Sequence, residues 1–341
     1  MKQSLGFVRL TFNQNPSPHL LLNLQRKINL LINVIRPHAD LKLYNARAMT
    51  TYQKGLLIAV AGTVIWASTG IFISYLFTHY TIQPLTLSFW RAVIMSVAMI
   101  AFFALTDRAA LRVTRDDLIF LFFYGAVILT LMNVLWTSSV QYNGASVATV
   151  LVYSSPGFTA LLARPLLKEP LTWRKIVAVL LSLVGCVLVA KAYTLEIWQT
   201  NLWGIVIGVA SGVAMAAYSL AGRYSMKRFT HNWTVTIYGF SFVAFVLAFT
   251  QTPASLFSLG AAWDGWIILA ILALGPSIFG FGLYTMSLRY LPASTSSLIA
   301  SLEPVLTAVM AIFILGESLN LIQWLGAAIT VAAVVLVQSG E

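Results

Sequence analysis

From Trp136 the chain reads W-T-S-S-V-Q-Y-N-G-A-S (136–146), and 148 residues later, the difference between Tyr284 and Trp136, it reads Y-T-M-S-L-R-Y-L-P-A-S (284–294). The same ungapped offset lays S-S-P-G-F-T-A-L-L-A (154–163) over L-E-P-V-L-T-A-V-M-A (302–311), superposing Pro156 on Pro304, Thr159 on Thr307 and Ala160 on Ala308. Further on, Glu169 falls on Glu317, and V-L-V at 187–189 falls on V-L-V at 335–337. Prolines and loop acids match as well as aliphatics, which marks a duplicated unit rather than a chance likeness between apolar helices.

Composition says what is duplicated. The 341 residues are 59% hydrophobic and 9% charged, with a mean hydropathy of +0.84, whereas soluble domains carry about 25% charged residues. Apolar runs of roughly the 17–25 residues needed to cross the hydrocarbon core as a helix fall at 55–75, 85–105, 118–137, 145–164, 174–191, 203–222, 234–250, 266–286, 293–314 and 321–338. The expectation is an all-α polytopic membrane protein with ten transmembrane helices. A β-barrel would show short alternating segments instead. The single cysteine, Cys186, lies inside a span, which excludes an intramolecular disulfide, and the histidines at 19, 38, 79 and 231 are too scattered to suggest a zinc site.

The formal net charge of +11 would suggest nucleic acid in a soluble protein, but here the basic residues first have to be placed about the membrane. The loops after the second, fourth, sixth and eighth spans carry Arg108, Arg112, Arg115, Arg164, Lys168, Arg174, Lys175, Arg223, Lys227, Arg228 and Arg289, and the opposite loops carry Lys191 alone. The positive-inside rule then assigns both termini to the cytoplasm. Two halves of five helices, an odd number, must enter the membrane in opposite senses. Loop charges should therefore swap sides between equivalent loops, and they do: the loop at 141–144 has no basic residue while its counterpart carries Arg289. Inverted repeats of this kind are a signature of alternating-access transporters.

Residues 1–48 hold seven Lys/Arg against one acid, Asp40, around the run L-L-L-N-L-Q-R-K-I-N-L-L-I-N-V-I. An Arg-rich, acid-poor leader fits a transit peptide, and a basic amphipathic helix fits a seat on anionic lipid. The reading adopted is an upstream extension, with Met49 as the true start. The domain expectation is then 1–48 as extension, 49–191 as the first repeat and 192–341 as the second.

The helix G-L-L-I-A-V-A-G-T-V-I-W-A-S-T-G from Gly55, the F-W-R-A motif around Arg91, L-E-P-V-L-T-A at 302–308 and L-G-E-S-L at 315–319 carry a resemblance to a known family. In the first half L-L-K-E-P-L at 166–171 is similar to that last motif, with Lys168 where the second half has Gly316. From about Gly55 to Val337 the chain resembles the drug/metabolite transporter superfamily, in its ten-helix form with two EamA-type repeats. The resemblance implies export of amino acids, other metabolites or drug-like compounds across a bacterial inner membrane, coupled to protons.

Proline has no N–H for the carbonyl four residues earlier, so Pro304 frees that of Ala300 and Pro156 that of Val152. Interrupted helices at matching positions in two halves point to a transporter's central site, although two packing kinks relieved by Ser155 or Ser301 would also explain them. Glu303 is a carboxylate inside a span, where insertion costs roughly 2.5–3.5 kcal/mol, so it should face the bundle interior. It is the candidate coupling residue, taking a proton in one state and releasing it in another. Arg91 lies within about 5 Å of its depth, close enough to pair with it; snorkelling to headgroups is the alternative. Of the span aromatics Trp66, Trp90, Trp136, Tyr153, Tyr218, Tyr238 and Tyr284, the expected lining residues are Trp66, Tyr153 and Tyr218, with Arg91, Ser154 and Ser301. Pro156, Pro276 and Pro304 are the expected hinges, Pro276 without a match in the first half.

The expected partners are a small-molecule substrate and lipid, with no cofactor, no metal and no nucleic acid; a homodimer is compatible with the chain. No glycine run ends in the G-K-[ST] of a phosphate loop. An importer or exchanger of the same fold stays open, while a polytopic enzyme would place His, Asp or Lys clusters at helix ends, and these are missing.

Overall fold

The structure is a computed structural model and describes residues 50–194, 202–315 and 318–338. The leader 1–48, the start at Met49, and Gly316 and Glu317 of the L-G-E-S-L match lie outside the described residues.

Each expected span is a helix: α1 (Thr51–His79), α2 (Pro84–Thr106), α3 (Arg115–Gly144), α4 (Val147–Leu167), α5 (Trp173–Val189), α6 (Leu202–Arg228), α7 (Thr234–Ala248), α8 (Trp263–Tyr290), α9 (Ala293–Ala300, resumed at Glu303–Leu315) and α10 (Leu321–Gln338). Eight of them are long and apolar enough to cross a membrane. The others, α5 and α7, have 17 and 15 residues. Among the described residues there is no strand.

The helix ends are written locally. Pro84 opens α2 with its preset φ. Thr114 and Asp117 form a capping box at the start of α3, and Asp117 also takes the Arg228 guanidinium from the end of α6 at 2.8 Å. Asn320 and Gln323 cap α10 reciprocally, and the Gln323 amide then donates 3.0 Å to the Val189 carbonyl at the end of α5.

The packing obeys the two-fold that the repeat implies. Helix α1 packs on α8 and α6 on α3, two contacts that exchange when the halves are swapped, while α2 with α7, α4 with α9 and α5 with α10 map onto themselves. The fold is two inverted five-helix repeats. Small residues permit the closest crossings: a Cβ at Gly185 of α5 would lie 2.1 Å from Thr330 Oγ1 and 2.8 Å from the Gly326 carbonyl of α10.

Both proline-interrupted helices break where their carbonyls lose partners. Helix α4 is interrupted at Tyr153–Ser154, just after Val152, and α9 at Ser301–Leu302, just after Ala300. Helix α1 is interrupted at Ser68. Pro276 has no matching proline in the first half, yet the backbone turn around it has a counterpart. Helix α8 widens to a π turn over Ala273–Ser277, and α3 has a π turn at the equivalent place, Tyr124–Leu129, with no proline. A hydroxyl five residues on takes the surplus carbonyl in each: Thr130 Oγ1 donates to Gly125 at 2.9 Å, and Ser277 Oγ to Leu272 at 2.8 Å. Proline is one way to force a π turn, and a hydroxyl set to accept the register shift is another.

Candidate functional site in the centre of the bundle

The interruptions converge. A cavity between α1, α2, α3, α4, α6, α8 and α9 is walled by Trp66 and Thr69 on either side of the α1 break, and by Met132, Asn133 and Trp136 just past the α3 π turn. Val152 and Tyr153 enter at the α4 break, Glu303 at the α9 break, Phe281 after the α8 π turn, and Arg91 and Met215 from α2 and α6. Non-helical backbone at membrane depth is tolerated where it faces protein or a wet cavity, and each break here does so. The carbonyl of Ala67, at the α1 break, takes the Thr307 hydroxyl of α9 at 2.8 Å.

Glu303 is the first residue of the resumed α9 helix and is 8% exposed. The helix N-terminus favours its negative charge. Its carboxylate accepts a hydrogen bond from the Tyr153 hydroxyl, so the break of one repeat is joined to the break of the other.

Arg91 is 1% exposed. Its Nη2 donates to Asn133 Oδ1, and the Asn133 amide is itself anchored 2.9 Å from the Leu129 carbonyl at the end of the π turn. The guanidinium lies over the Phe281 ring, 5.9 Å from its centroid; among the described residues its Nε has no hydrogen-bond partner, and neither has the Thr69 hydroxyl in the same wall. Arg91 and Glu303 thus share a cavity, yet no ion pair joins them among the described residues. The free space between the walls is about 30 Å³, room for water and not for an amino acid.

Of the residues expected from sequence, Trp66, Arg91, Tyr153 and Glu303 meet in this wall. The others lie around it. Ser154 Oγ donates to Leu151 at 2.6 Å and sits where a Cβ on Gly212 would come, 2.3 Å away. Tyr218 is buried with its hydroxyl 2.7 Å from Thr285 Oγ1 and its ring stacked on Tyr284, and Ser301 accepts from Ser182 Oγ at 2.6 Å. Pro156 and Pro304 follow the two breaks, and Pro276 lies in the π turn. Sequence reasoning did not single out Thr69, Asn133 or Phe281. Asn133 had a signal, as an amide alone in L-T-L-M-N-V-L-W; Thr69 and Phe281 had none. Among the described residues no three His, Cys, Asp or Glu approach closely enough to hold a metal ion.

Inverted repeats with breaks gathered on a central, charge-bearing cavity define a polytopic membrane transporter. The chain belongs to the EamA-like transporter family, whose profile matches residues 53–191 and 202–339. It is 26% identical over 285 residues to an uncharacterized transporter of Archaeoglobus fulgidus, covering 82% of this chain and 96% of that protein. It is 24% identical to the uncharacterized transporter YyaM of Bacillus subtilis, over 74% of this chain and 83% of that one. With the uncharacterized inner membrane transporter YicL of Salmonella typhimurium it shares 23% identity, over 85% and 96%. A solved crystal structure superposes with a TM-score of 0.68 at 17% identity, over 84% of this chain and 97% of the other, a likeness of fold.

Proposed function

We propose that this transporter exports small metabolites that carry both an ammonium and a carboxylate, amino acids and their amphipathic analogues, by proton-driven alternating access. The carrying observation is that Arg91 and Glu303 line one buried cavity without pairing with each other. A guanidinium steadied by Asn133, with an N–H unpartnered among the described residues, is chemically fitted to a carboxylate. A lone carboxylate held by one phenol is fitted to an ammonium or a proton. Trp66, Trp136 and Phe281 offer apolar area for a side chain between them.

Proton coupling follows from competition at one group. Glu303 holds either a proton or the substrate's ammonium, so loading substrate releases the proton and unloading recovers one. The basic loops support a cytoplasmic position for both termini, and relatives named inner membrane transporters support a bacterial inner membrane.

Thermal unfolding of the purified protein against a panel of compounds tests this reading, because a ligand bound to the native state raises Tm. Zwitterionic amino acids should raise it saturably, and amines without a carboxylate or acids without an amine should raise it far less. Equal shifts with either half-molecule, or none with any amino acid, would reject the substrate class.

A further inference from the structure

At the basic end of the bundle one carboxylate ties the turn after α4 to the start of α9. Lys168 ends α4 in the left-handed conformation, φ 57°, and the N–H of Glu169 turns back to the Ala163 carbonyl, six residues earlier, at 3.2 Å, a closure one residue wider than a Schellman turn. The equivalent position in the second repeat is Gly316, the residue that takes a positive φ most readily. This turn lays half-buried Glu169 across the start of α9. Its carboxylate accepts the Ala293 N–H at 2.7 Å, the Ser294 N–H at 3.2 Å and the Ser294 hydroxyl at 2.7 Å. Those N–H groups have no helical partner of their own, and the helix N-terminus adds its attraction for the charge.

Behind this contact the first turns of α9 bury a run of hydroxyls, small polar residues that let membrane helices approach closely. In A-S-T-S-S-L-I-A-S (293–301) all five hydroxyl side chains are buried. Lys175 of α5 donates to Ser294 Oγ at 3.3 Å, Thr159 of α4 to Ser297 Oγ at 3.4 Å, and Ser182 of α5 to Ser301 Oγ at 2.6 Å. Ala293 to Glu303 is ten residues, about 15 Å of helix, so the seam runs from the basic face to the cavity. Hydroxyls that part exchange protein partners for water at little net loss, whereas parting aliphatics expose apolar area to water.

We propose that the seam from Ser294 to Ser301 is the substrate's path between the cavity and the basic face, and that Glu169 is the latch that holds it closed. In the conformation open to this face Glu169 leaves α9, the seam fills with water, and its hydroxyls line the route to Glu303. The opposite end is already recessed in this structure, with an open vestibule lined by Thr78, Gln83, Gln141 and Gly144. The proposal rests on the transporter fold and not on the substrate assigned to Arg91 and Glu303.

Cys186 is the only cysteine, so a Cys186→Ser background accepts a single reporter, Ser297→Cys, in the middle of the seam. Its rate of modification by a membrane-impermeant maleimide is measured in vesicles of both orientations, with no substrate present. Glu169→Gln, which keeps shape and loses charge, should speed labelling from the basic face at least tenfold and leave labelling from the other face unchanged. An unchanged rate, or equal acceleration from both faces, overturns the latch. Should Glu169→Gln fail to accumulate as folded protein, Ser294→Ala removes one of the three bonds and should give a smaller acceleration on the same face; no acceleration there overturns it as well.

Discussion

Arg91 offers a perturbation in which function and stability should move in opposite directions. Its guanidinium is 1% exposed, bonded to one neutral amide and set over one aromatic face, with no carboxylate in contact among the described residues. A buried charge so sparsely compensated burdens the fold, while truncating one partner of a buried, hydrogen-bonded charge pair costs about 2–5 kcal/mol of binding. If the substrate's carboxylate is that partner, Arg91→Met should weaken amino-acid binding about 30-fold to a few thousand-fold. An amine lacking the carboxylate should bind Arg91→Met and the unaltered protein alike. Methionine fills most of the volume, but the change orphans Asn133 Oδ1, a loss of about 1–3 kcal/mol. The pair Arg91→Met with Asn133→Leu removes that orphan and should unfold at or above the temperature of the unaltered protein. Calorimetric titration gives the affinities and thermal unfolding in detergent the stabilities. A double variant that unfolds well below the parent, together with Arg91→Met that binds amino acids as tightly as before, would assign Arg91 to structure and refute the reasoning.

Other perturbations separate coupling from packing. Glu303→Gln keeps the Tyr153 hydrogen bond and removes the exchangeable proton, so gradient-driven transport should fall at least tenfold while substrate exchange in the absence of a gradient stays measurable; equal loss of both in proteoliposomes would end the coupling role. Gly185→Ala forces a methyl against Thr330 and the Gly326 carbonyl, which should destabilise by about 1–3 kcal/mol and lower Tm. Gly70→Ala, with nothing within 4 Å of its Cβ, should leave Tm unchanged or higher, by the roughly 0.5–1 kcal/mol that separates the two residues in a helix.

The sequence was most informative where physics leaves few choices. Apolar runs longer than a soluble core helix, basic residues on alternate loops and an offset that aligns prolines together specified ten helices in two inverted halves. The breaks at Val152 and Ala300 followed from the missing proline N–H. Rotation about each helix axis was much less legible. In helices such as α1, α6 and α8 the polar residues are spread round the axis and do not gather on one face, so polarity does not say which face meets the cavity. This is why Tyr218 and Ser301, both deep in spans, turn into hydroxyl networks beside the cavity, and why Arg91, close in depth to Glu303, meets Asn133 instead. The π turn of α3 has no proline to announce it, and its trigger, Thr130 bonding back to Gly125, is visible only once the helix is built.

The central claim is that Arg91 and Glu303 load an amino-acid-like substrate against a proton. Its most direct test is flux of labelled amino acids and amines into inside-out membrane vesicles bearing the protein, compared with vesicles lacking it, with and without an imposed proton gradient. The account predicts uptake of zwitterionic compounds that collapses when the gradient is dissipated and is lost in Glu303→Gln. Uptake of the same size with and without the gradient, and retained in Glu303→Gln, would contradict it.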